Sequence, residues 1–124
     1  MSVDKFLHLR YDERNYNCAH FFCDAWEELV GFSVREALQG FLAPPSERRA
    51  ELGTIKRAFT RLDGPRSPCL VLMDRPHTAP HVGLFYEGRV LHILESGVQY
   101  MPVHIATFGF RLVRYYGYTN RNYS

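Results

Sequence analysis

Three cysteines are too few, and odd in number, for a disulfide framework, so cysteine usage points to a reducing compartment. No stretch approaches the roughly 18 apolar residues that a membrane-spanning helix needs. The opening segment MSVDKFLHLRYDERN carries charges throughout and has no apolar core of signal-peptide length. It predicts a chain made in the cytoplasm without a signal peptide. A dominant charge is also missing: 15 Lys and Arg against 13 Asp and Glu leave a formal +2. That balance makes no electrostatic case for nucleic acid or for a membrane surface. There is no internal repeat, low-complexity tract or interdomain linker. At 124 residues the expectation is one domain, 1–124, with a core of its own.

Two turn-rich stretches, APPSER at 43–48 and DGPRSP at 63–68, divide a helical first half from a strand-rich second half. The spacing predicts a helix over 18–30, with Asn17 as N-cap and Phe22, Ala25, Trp26 and Leu29 as its apolar stripe. Gly31 stands where a C-terminal glycine belongs. Shorter helices are expected over 3–9 and 34–40. Another is expected over 47–61 behind Ser46, with Ala50, Ile55, Ala58 and Phe59 inward and Arg48, Arg49, Lys56 and Arg57 solvated. CLVLMD (69–74), HVGLFYEGRVLHIL (81–94, a hairpin around Glu87 and Gly88), VQYMPV (98–103) and GFRLVRYYG (109–117) read as strands. Helices followed by strands indicate an α+β domain: first-half helices packing on an antiparallel sheet of about four to six strands from the second half.

The segment YNCAHFFCDAWEELVG (16–31) puts Cys18 in the first turn of that helix. Unpaired backbone N–H groups and the helix dipole favour an anion there, the setting of an activated thiolate. A buried, inert thiol is the commoner fate of cysteine, and it is the reading for Cys23 and Cys69. With Glu87 and Gly88 as the turn, Gly83 faces His92 and His81 faces Leu94. Strand alternation then sets His81, Gly83, Phe85, Val90 and His92 on one face, with the two histidines diagonal neighbours. On this reading Gly83 leaves room for the helix N-terminus to approach. Cys, His and His so arranged suit nucleophilic acyl transfer, with one imidazole as base and the other orienting it. Zinc is the competing chemistry. His77 and His81, with three residues between them, and His92 are candidate ligands, but Pro76 and Pro80 oppose a helix there and no Cys-x-x-Cys exists. The expectation is no metal and no cofactor. His8, His20 and His104 read as surface or capping residues.

The order NCAHFFCDAW … PHVGLFYEGRVLHILESGVQY resembles the NlpC/P60 family of papain-like cysteine peptidases. In that family a helix-start cysteine is followed by a strand bearing HVGIY and, about a dozen positions on, by a third polar residue. Cys18 corresponds to the nucleophile, His81 to the first histidine and His92 to the third residue. SPCLVLMD and GFRLVRYYG resemble the flanking strands, so the likeness runs from about Tyr11 to Tyr116. The family commonly has Asp-Cys-Ser where this chain has Asn17-Cys18-Ala19. It also carries an upstream tyrosine near the oxyanion site, for which Tyr11 and Tyr16 compete here. NCAHF is also similar to the NCEHF of the lecithin:retinol acyltransferase-like group, in which the strand histidines precede the cysteine. Here the cysteine comes first.

The resemblance implies a papain-like fold and a cysteine hydrolase that cleaves an amide bond in cell-wall stem peptides, commonly after γ-D-glutamate. Small stand-alone members occur among bacteriophage tail components, which are assembled in the cytoplasm and delivered whole. The expectation is therefore a tail-tip or tail-hub peptidoglycan hydrolase in the virion, touching other tail proteins and acting during genome delivery. The C-terminal YYGYTNRNYS is either a docking segment for a tail protein or an ordinary frayed end. The alternatives are a structural tail component that keeps the fold with little or no hydrolysis, and a cytosolic or injected cysteine amidase.

Overall fold

The computed structural model describes residues 3–42, 55 and 58–119. One long helix lies against one six-stranded antiparallel sheet, which makes the described chain α+β. The helix, α1, runs over Cys18–Val30 as its caps predict. Asn17 opens it, and Gly31, at φ 103°, closes it in the left-handed conformation that favours glycine. Where helices are expected over 3–9 and 34–40 the chain forms short 3₁₀ segments, Asp4–Phe6 and Glu36–Phe41, the latter kinked at Leu38.

The strands are β1 (Phe59–Leu62), β2 (Cys69–Asp74), β3 (His81–Tyr86), β4 (Arg89–Leu94), β5 (Gly97–Pro102) and β6 (Leu112–Tyr118). They lie in the order β1-β6-β2-β3-β4-β5. β1 corrects the end of the expected helix over 47–61, of which 47–54, 56 and 57 lie outside the described residues. Ile55 is helical and buried, but the chain turns at Ala58, and Phe59–Leu62 pairs with β6 from Phe59↔Tyr118 to Leu62↔Tyr115. A long-range partner strand outweighs the local helical pattern. Ser46 and the four expected solvated residues of that helix lie outside the described residues. A four-residue helix, α2 (Val103–Ala106), follows β5 where the sequence reading continued the strand to Val103.

The sheet has two dissimilar faces. On one, the α1 residues Cys18, Phe21, Phe22, Cys23, Ala25 and Trp26 form the main core with Leu70, Leu72, Val82, Leu84, Leu91 and Ile93. Burying a side chain such as Phe22 contributes about 1.5–3 kcal/mol. Trp26 makes edge contacts with Phe32 and Phe59, and Tyr118 packs on Phe32 and Phe59 as well. The stretch from Tyr115 to Tyr118 is therefore sheet and core, and only the end of the expected docking segment, 120–124, lies outside the described residues. On the other face Val71, Met73, Val90 and Ala106 are buried with Phe85, Met101, Val103, Phe110, Val113 and Tyr115 around them.

Candidate active site

Asn17 is wholly committed to the start of α1. Its Oδ1 accepts the amides of Ala19 at 2.9 Å and His20 at 3.4 Å, and its Nδ2 donates to the carbonyls of Glu13 and Leu42, each at 3.3 Å. His20 completes a capping box by accepting the Asn17 amide on Nδ1 at 3.1 Å. That is the capping role expected for His20. Cys18 is the first helical residue and is 4% exposed, so its thiol sits inside the core margin rather than on an open surface. None of the three cysteines forms a disulfide. Burial pushes the Cys23 thiol up to about 12 and raises that of Cys69, which suits their reading as inert core residues.

The hairpin has the expected register next to its turn, Tyr86↔Arg89, Phe85↔Val90 and Leu84↔Leu91. Glu87 (φ 49°) and Gly88 (φ 91°) both take positive φ, as a two-residue hairpin turn of the primed type requires. The consequence for the site is direct. His81 Nε2 lies 2.8 Å from His92 Nδ1, and the two rings are tilted at 54°. His81 is half-buried, whereas His92 is 2% exposed. Burial first, and the neighbouring imidazole second, pull the His92 pKa down to about 3, so His92 is neutral at any physiological pH. Two tautomeric arrangements fit this contact. If His81 Nε2–H donates, His92 accepts on Nδ1 and carries its own proton on Nε2. That Nε2 is buried and has no hydrogen-bond partner among the described residues, and Gln99 is the cross-strand neighbour of His92.

One element of the sequence reading needs correction. Gly83 does not make room for the helix. A Cβ there would lie 2.8 Å from Val90 Cγ1, 3.2 Å from His92 Cβ and 3.3 Å from Met73 Cε, all on the face away from α1. Its missing side chain lets His92 approach β3. Val82 and Leu84 face α1, so alternation turns His81, Gly83 and Phe85 to the opposite side. Shared-face reasoning identified the partners but not which face the helix covers. Cys18 packs in the cluster under α1, whereas Met73 and Val90, on the histidines' side, belong to the other cluster; Cys18 and His81 are the first residues of α1 and β3.

Tyr16 spends its hydroxyl on Asp24, at 2.6 Å, and Asp24 also binds Arg35. Tyr11 is partly buried against the main core. Phe110, which sequence reasoning left out, stacks nearly parallel on His81, with centroids 6.0 Å apart and 9° between planes. Its only sequence signal was an aromatic beside a glycine at the head of a strand. His77 is exposed with φ 66°. The facing nitrogens of His81 and His92 are engaged with each other, and among the described residues no group of three or more His, Cys, Asp or Glu is placed to hold a metal ion. No helix among the described residues is long and apolar enough to cross a membrane.

Comparison with known proteins finds no match for this chain among protein-family models, curated proteins or solved structures.

Proposed function

We propose that the chain is a cysteine hydrolase of the NlpC/P60 kind that cleaves an amide bond in peptidoglycan stem peptides through Cys18, His81 and His92. The observation that carries this reading is the 2.8 Å contact between His81 Nε2 and His92 Nδ1. It leaves Nδ1 as the ring nitrogen through which His81 acts on the thiol, and it fixes the plane of the imidazole.

The steps follow from those roles. Cys18 Sγ attacks the carbonyl carbon while its proton passes to His81 Nδ1. The Cys18 amide, at the start of α1, is the donor this reading assigns to the oxyanion. His81 then hands the proton to the leaving nitrogen, the C–N bond breaks, and a thioester remains on Cys18. Water attacks the thioester, His81 takes its proton, and the proton returns to sulfur as the carboxylate leaves. Throughout, His92 stays neutral and accepts the Nε2–H of His81. The Tyr16 hydroxyl is engaged by Asp24, so the reading gives it no part on the oxyanion side.

The same reading places the enzyme at the tip or hub of a bacteriophage tail, among other tail proteins, where it opens the wall locally during genome delivery. A second reading has support of its own. Cys18 is 4% exposed, which suits a structural tail component that keeps the fold, or an enzyme opened by a partner. Digestion of purified peptidoglycan with mass analysis of the products decides. Release of cleaved stem peptides by the wild-type chain and none by Cys18→Ala supports the hydrolase. No release by either, from folded protein, leaves the structural reading.

A further inference from the structure

Beside His81 the rim of the sheet opens into a cleft of about 420 Å³ lined by Asp74, Arg75, Pro76, Arg111 and Leu112. The register puts it at the same end of the sheet as the histidines. Met73 pairs with His81 on one side and Val113 on the other, and the next residue, Asp74, pairs with Leu112. The cleft is joined to the site by side chains as well as backbone. The Arg75 guanidinium lies 4.3 Å from the centre of the Phe110 ring, and Phe110 stacks on His81. Arg111 is anchored beside the cleft by its amide, which donates to the Asp74 carbonyl at 2.8 Å. Both arginines are exposed, and neither guanidinium is paired with a carboxylate among the described residues. Asp74 is the one acidic residue of the lining, against two arginines.

We propose that this cleft is an anion subsite of the same active centre, which holds a carboxylate of the peptide substrate against Arg75 and Arg111. Guanidinium groups present planar forks of N–H donors that match a carboxylate, and an arginine held on an aromatic ring has less freedom to lose on binding. Phe110 ties the subsite to catalysis, because the ring that supports Arg75 is the one that lies on the proposed base. The inference rests on the hydrolase reading only in naming the ligand as substrate.

The test uses the Cys18→Ala protein and two forms of L-alanyl-γ-D-glutamyl-L-lysine with an amidated C-terminus. One has the glutamate α-carboxylate free and the other has it amidated. Binding is followed by NMR on the arginine side-chain N–H signals. The acid should bind about tenfold to a hundredfold more tightly than the amide, and shift the Arg75 and Arg111 signals. Arg111→Gln, which leaves the Arg75–Phe110 contact intact, and Arg75→Gln should each remove most of that preference. Equal binding of both peptides, binding of neither, or a preference that survives both substitutions overturns the subsite. The wild-type chain is incubated with the acid peptide in parallel. An arginine-dependent preference without any hydrolysis keeps the subsite and removes the hydrolase.

Discussion

At the scale of single residues, the three thiols separate by environment. Cys23 and Cys69 are held protonated by burial, whereas Cys18 stands at the capped start of α1. Iodoacetamide near neutral pH should modify Cys18 well before the other two, as read by peptide mass mapping; equal labelling of all three would remove the activated nucleophile. The histidines divide their labour by the nitrogens they use. His81→Ala should lower kcat by about 10²–10⁴-fold, since it removes the proposed general base. His92→Gln should cost less, because an amide oxygen can still accept the His81 Nε2–H. A His92→Gln variant as inactive as Cys18→Ala, both folded, would make His92 a proton-transfer group rather than an orienting one. ¹⁵N shifts of the imidazoles check the underlying tautomer, which should place the His92 proton on Nε2.

At the scale of elements, the hairpin and the helix start carry the site, and both are sensitive to small side chains. Gly83→Ala forces a methyl to within 2.8 Å of Val90 Cγ1 and 3.2 Å of His92 Cβ, so β3 and β4 must part or His92 must move. Overpacking of this kind costs about 1–3 kcal/mol. Thermal unfolding should show a lowered Tm, and kcat should fall although no catalytic group has changed. Asn17→Ala removes the cap and takes a donor from the Glu13 and Leu42 carbonyls, at a cost of about 1–2 kcal/mol by chemical denaturation. These elements were legible in the sequence for local reasons. Asn17 and Gly31 bracket α1, and period-two alternation around a Glu-Gly turn sets the pairing of His81 with His92. The face on which α1 lies was not legible, because alternation says which residues travel together and not what covers them. β1 escaped for a related reason. Its partner, β6, lies at the far end of the described chain, and nothing in FTRL announces it.

At the scale of the whole molecule, the buried imidazole couples folding to acidity. His92 has an ordinary pKa near 6.5 when unfolded and about 3 when folded. Between those values the unfolded chain binds the additional proton, so stability is complete above about pH 6.5 and declines as pH falls toward 3. The limiting slope from this one group is about 1.4 kcal/mol per pH unit. Denaturation curves from pH 7 to pH 4 should show the loss, and His92→Gln should remove that component. The two sides of the sheet also differ in when they can be completed. The proposed base and its orienting partner sit on adjacent strands joined by a two-residue turn, a local closure. The proposed nucleophile lies far from them in the chain, on a helix that packs against β3 and β4. Non-local contacts of that kind form late, since their loop entropy is lost before their burial is gained. In refolding followed by stopped flow, the imidazole pair should therefore be in place before the thiol, and recovery of activity should trail recovery of sheet. Enzymatic competence would then be a clock on the last docking event.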